Sequence, residues 1–181
     1  MRKLRYIGGL TGLLILLLLM VGMFKKSVLL EQDITISRSA KKVYYSMLNP
    51  MMMKEWLVGF QKIEALDGFL HGPGSRYMVT LEFGGRELKV LQEVTLFEWK
   101  RELGLKMIFP HILVNTNILF EESDKGTQMN IKHDIQGDNL FWRSVIPIMK
   151  PFLQKNFDQN FINLKEVLEK PRTKKPPRGK P

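Results

Sequence analysis

The 181-residue chain contains no cysteine and only three histidines. The first absence excludes disulfides, thiolate metal sites and a cysteine nucleophile. The second leaves little for metal chemistry: there is no His-Glu-x-x-His and no close grouping of His with carboxylates, so neither a metal nor a cofactor is expected. A Gly-x-Ser-x-Gly elbow is also missing, and the run from Gly72 to Ser75 is too short and wrongly placed for a phosphate loop. Acidic residues are absent from both ends. All 18 lie between Glu31 and Glu169, where 17 Lys and Arg face them, so the net charge of +10 belongs to the termini. A near-neutral middle argues against a nucleic-acid partner.

What is present begins with an uncharged run of 18 residues, Ile7 to Phe24, set between Arg2, Lys3, Arg5 and Lys25, Lys26. As a helix it would measure about 27 Å, close to the roughly 30 Å of a bilayer's hydrocarbon layer. No small-x-small cleavage pattern precedes Lys25, which favours a retained anchor over a cleaved signal peptide. Residues 1–26 are therefore predicted to be a single-pass lipid-bilayer anchor with a span of about 7–24, followed by a linker over 27–30. Basic residues flank the span on both sides, so charge assigns no face of the membrane to the rest of the chain. At the other end, residues 170–181 carry four prolines and nothing to bury, which predicts a disordered basic tail. Such a tail either solubilises the chain or touches anionic lipid.

Between the ends the pattern is mixed. Glu31–Ser37 alternates, with Ile34 and Ile36 on one face, and reads as a strand. Ser39 is placed to cap a short helix carrying Val43, Tyr44, Met47 and Leu48. Asn49-Pro50 breaks it before a second short helix, Met51–Trp56. Strands are predicted over residues 61–66, 75–83, 86–95, 96–103, 112–121 and 127–135, separated by Asp67-Gly68, Gly72-Pro73-Gly74, Gly84-Gly85 and Asp124-Lys125-Gly126. Such short links make the sheet antiparallel. Leu153, Phe157, Phe161, Leu164 and Leu168 then share one face of a long helix, whose regular part is expected to begin near Pro151.

The stretches ITISRSAKKVYYSMLNPMMMKEW, GPGSRYMV, KVLQEVTLFEW and DKGTQMNIKHDI, in this order of elements, resemble the helix-grip, START-like (SRPBCC) superfamily, which includes polyketide cyclases and dehydrases and lipid-transfer domains. The resemblance covers about residues 31–169. It implies an α+β domain in which a curved antiparallel sheet of six or seven strands wraps a long C-terminal helix around an apolar cavity, with two short helices closing one end.

Strand alternation then nominates the lining, because the concave face should carry the apolar phase. The candidates are Tyr77, Val79, Leu81, Val90, Trp99, Val114, Ile118, Met129 and Ile131, joined by Phe157 and Phe161 from the long helix. Met53 and Trp56 are the candidate rim, since methionine repacks against differently shaped partners. Gln92, Arg101, Thr116 and His133 are polar residues in the same phase. Each also has a plainer role: Arg101 can reach water from a strand end, His133 can bond a carbonyl, and Gln92 and Thr116 can bond across strands.

Three functions fit this reading. The first is a membrane-tethered carrier or sensor that holds a hydrophobic small molecule or lipid. The second is a cyclase- or dehydrase-like enzyme in which His133 moves a proton and Arg101 polarises a carbonyl. The third is a non-catalytic protein-interaction module at the membrane.

Overall fold

A computed structural model of the chain describes residues 13, 16, 19–67 and 72–171. Alternating burial sets the first element, β1 (Ser27–Ile36), in which Val28, Leu30, Ile34 and Ile36 point inward. Two short helices follow, α1 (Ala40–Leu48) and α2 (Pro50–Trp56). Six more strands come next: β2 (Phe60–Asp67), β3 (Arg76–Phe83), β4 (Arg86–Glu98), β5 (Glu102–Phe109), β6 (Ile112–Ser123) and β7 (Gly126–Gly137). The last element is α3, Leu140–Glu169. The seven strands form one antiparallel sheet in the order β1-β7-β6-β5-β4-β3-β2, so consecutive strands from β2 to β7 are neighbours, and β1 pairs with β7 at the edge opposite β2. The expected α+β arrangement is present, with α3 laid across the concave face. Its Phe161, Leu164 and Leu168 pack with Ile36, Tyr44, Met129 and Ile131 in the principal core. Burying each of these large side chains stabilises the fold by about 1.5–3 kcal/mol.

Asn49-Pro50 is a cap as well as a break. The Asn49 side-chain oxygen accepts from the Met51 N–H at 2.9 Å, and Pro50 opens α2 where a missing N–H costs nothing. Ser39 occupies the expected position ahead of α1, but its side chain makes no cap bond; the Ala40 N–H instead donates to the Glu122 carboxylate at 3.3 Å.

Three sequence expectations are corrected. Residues 27–30 are strand, not linker, because Val28 and Leu30 belong to the core beside Ile135 and Ile146. The strand expected over residues 96–103 does not exist: β4 runs on to Glu98, and Trp99, Lys100 and Arg101 form the turn into β5. Lys100 makes that turn at φ 61°, a left-handed conformation usually marked by Gly or Asn. Finally, α3 begins eleven residues before Pro151 and carries both Pro147 and Pro151 inside it. Asn139 caps it by accepting from the Trp142 N–H at 3.1 Å, and Ile146 is buried against Val28 and Val114. That packing holds the helix through two positions that lack a backbone donor.

The predicted span over 7–24 lies mostly outside the described residues, as does the tail from residue 172. Among the described residues no helix is long and apolar enough to cross a membrane. Residues 19–24 are helical.

Candidate functional site

A cavity of about 300 Å³ lies between the concave face of the sheet, α2 and the middle of α3. The sheet supplies Ile63 and Ala65 from β2, Tyr77 and Val79 from β3, and Gln92 and Val94 from β4. It adds Leu103, Leu105 and Met107 from β5, Thr116 and Ile118 from β6, and His133 from β7. The helices add Met47, Leu48, Pro50, Met53, Trp56, Phe157, Asn160 and Phe161, and Leu57 completes the wall. No Asp, Glu, Lys or Arg is among these residues. The wall is apolar with a few polar groups, the usual make-up of a small-molecule site.

Strand register creates the principal polar feature. Thr116 and His133 are directly opposed on β6 and β7, which brings Thr116 Oγ1 within 2.8 Å of His133 Nδ1. The His133 ring is 3 % exposed and sits under Phe157, with ring centroids 4.2 Å apart. Its other nitrogen, Nε2, is buried, and no group among the described residues bonds it. Burial pushes the imidazole pKa down to about 4, so the ring is neutral at physiological pH. A neutral imidazole has one donor and one acceptor nitrogen, so Nε2 takes whichever role the Thr116 bond leaves. A hydroxyl on a ligand can satisfy either.

Two asparagines of α3 hold the connector that closes the cavity. Val58 N–H donates to Asn160 Oδ1 at 3.0 Å, and Asn163 Nδ2 donates to the Trp56 carbonyl at 3.2 Å. Gly59 ends the connector at φ 76°, and a side chain there would collide with the Glu82 carbonyl. The Trp56 indole N–H donates to the Ser46 carbonyl at 3.4 Å, which fixes α2 on α1.

Of the residues nominated from sequence, Met53, Trp56, Tyr77, Val79, Gln92, Thr116, Ile118, His133, Phe157 and Phe161 line the cavity. Met129 and Ile131 are fully buried in the principal core, and Val114 belongs to a second core with Ile146. Val90 is buried with Phe60, and Leu81 packs at the edge of that cluster. None of these five reaches the cavity. Trp99 and Arg101 are corrections. Trp99 lies in the β4–β5 turn, half-exposed and edge-on to Tyr44 with centroids 5.0 Å apart. The Arg101 side chain is 80 % exposed and pairs with Glu98 at 3.5 Å. Because the turn ends the alternation, neither inherits the inward phase of Phe97. The sequence reading missed Leu103, Leu105 and Met107 as lining for the same reason. Met47, Leu48, Pro50, Leu57, Ile63, Ala65 and Asn160 were also outside its candidate set.

The sequence profile of the family described as "Polyketide cyclase / dehydrase and lipid transport" matches residues 27–169. The chain belongs to this family. No curated protein matches it closely enough to add a function. Among solved structures, that of Ara h 8.0201 is similar with a TM-score of 0.65 at 14 % identity, covering 78 % of this chain and 97 % of that one. A protein of unknown function from Staphylococcus aureus gives a TM-score of 0.66 at 17 % identity, covering 80 % of this chain and 95 % of that one. The di-domain ARO/CYC BexL from the BE-7585A biosynthetic pathway gives 0.62 at 14 % identity, covering 80 % of this chain and 50 % of that one. At these identities the likeness shows the helix-grip fold alone. The family match starts at Ser27, in agreement with the start of β1 and not with a linker there.

Proposed function

We propose that this polyketide cyclase and lipid-transport family member is a binding protein, a carrier or sensor, for an uncharged and mainly apolar small molecule or lipid. The N-terminal run Ile7–Phe24 tethers it to a membrane. The observation that carries the binding reading is the buried Nε2 of His133, without a partner among the described residues, in a cavity to which the described residues bring no charged side chain. Leaving such an atom unbonded costs about 1–3 kcal/mol, which a ligand's polar group recovers. The volume lies at the small end of the usual range for ligand pockets, about 300–1,000 Å³, so one chain or one compact ring system fits and a two-chain lipid does not. An ionised headgroup would be stripped of water without a counter-charge.

The enzymatic alternative keeps His133 as the group able to accept a proton. It loses Arg101, which is on the surface, and a pKa of about 4 makes the imidazole a weak base at neutral pH.

The test uses residues 27–181 and two probes that differ by one charge, N-phenyl-1-naphthylamine and its 8-sulfonate. The neutral amine is expected to bind roughly tenfold tighter or better, and His133→Leu to weaken it by about the worth of one hydrogen bond, severalfold. Equal or tighter binding of the sulfonate would overturn the neutral-ligand reading. Organic extraction of protein purified from cells, with mass spectrometry of the extract, then identifies the natural ligand.

A further inference from the structure

The outer face of α3 changes character along its length. At 100° per residue, Phe141, Ile148, Phe152, Gln159 and Glu166 fall within about 40° of one another around the helix axis. The first three are 56 %, 64 % and 61 % exposed, and the last two are exposed as well. The face is thus apolar near the start of α3 and polar beyond Lys155. Isolated exposed apolar residues are ordinary, but three large ones aligned on one helix face mark an interaction surface.

The same end of α3 meets the apolar N-terminal run. Residues 19–24 are helical and cross the start of α3 at Gly22. A methyl group on Gly22 would collide with the Ser144 hydroxyl and lie 2.7 Å from the Leu140 carbonyl oxygen, so only glycine permits this approach. Met20, Met23 and Phe24 remain exposed beside it. Cations border the patch: Lys25, Lys26 and Lys155, the last about 40° round the helix from Phe141, are exposed, and α3 carries no acidic residue before Asp158. Leu13 and Leu16 are exposed too.

We propose that the first half of α3 is a bilayer-docking surface, with Phe141, Ile148 and Phe152 seated at the boundary between headgroups and acyl chains and the neighbouring lysines at lipid phosphates. The inference rests on the membrane tether and adds which face of the domain the tether presents. Because Phe157 and Phe161 line the cavity, docking places the ligand site one to three turns farther along the same helix.

The absence of cysteine permits single-cysteine labelling of the full-length chain at Phe141, Ile148, Phe152, Gln159 or Glu166. Each variant carries an environment-sensitive nitrobenzoxadiazole label and is reconstituted into phosphatidylcholine–phosphatidylserine vesicles with or without brominated acyl chains. Labels at 148 and 152 should shift to the blue and lose about half their emission to the bromines, while those at 159 and 166 stay water-like. A chain that floats with the vesicles while 148 and 152 match 159 would overturn the docking surface and leave the tether standing. Labels shielded from water yet unquenched would overturn lipid in favour of protein cover. A chain that fails to float removes the tether and this surface together.

Discussion

His133 joins the stability of the domain to the proposed ligand chemistry. The unfolded chain protonates this imidazole below about pH 6.5, whereas the folded chain does so only near pH 4. Between those values the unfolded state holds more protons, so stability falls as pH falls through the window, by a total of about 3 kcal/mol. His133→Gln is therefore expected to flatten the pH dependence of the urea midpoint between pH 6.5 and 5, above the range where most carboxylates titrate. An unchanged slope would mean that the buried ring exchanges protons freely in the native state. The inward phase of Gln92, Thr116 and His133 was legible from alternation alone, as was the apolar character of Tyr77 and Val79 beside them. What alternation could not reveal was the termination of a phase. Trp99 and Arg101 read as inward because nothing in Trp-Lys-Arg marks a turn, and the left-handed Lys100 has no glycine or asparagine signature.

At the scale of elements, the proposed ligand-binding function makes the α2–β2 connector, held by two asparagine bonds from α3, the expected place of ligand passage. Val58 and Trp56 are held through Asn160 and Asn163, while the connector itself contributes only Leu57 to the wall. Replacing both asparagines with alanine removes two bonds worth about 1 kcal/mol each. N-phenyl-1-naphthylamine should then dissociate roughly tenfold faster or more, read by stopped-flow fluorescence, with a smaller change in Kd because entry is eased as well. A dissociation rate equal to that of the parent would place the route elsewhere. No local pattern could name the partners of these asparagines, which come from a segment about 100 residues away. The sequence placed the two short helices and most strands near their observed positions. The failures share a cause: long-range packing overrode local signals. Tertiary burial of Ile146 carries α3 through Pro147 and Pro151, and the pairing of β5 with both β4 and β6 makes a strand of Glu102–Phe109.

Across the whole molecule, charge and apolar surface are divided in a way that suits a tethered domain. The middle of the chain is near neutral, the basic excess sits at both ends, and the apolar half of α3 lies beside the end that carries the uncharged run. Deleting residues 1–26 leaves β1 complete, since Ser27 still pairs with Gln136, and leaves all the described cavity residues in place. The shortened chain should therefore bind N-phenyl-1-naphthylamine with the affinity of the parent, yet move from the pellet to the supernatant when membranes are washed with alkaline carbonate. Any residual attachment to phosphatidylserine vesicles should be reversible and weaken with salt, because the basic residues beyond Glu169 contribute about 1 kcal/mol each at an anionic surface within a Debye length of roughly 10 Å. Removing residues 170–181 as well should reduce the salt-dependent part to what Lys155 supplies, beside the weaker apolar contact through Ile148 and Phe152. Carbonate-resistant attachment of the shortened chain would instead assign the membrane affinity to the domain and leave the N-terminal run without that role.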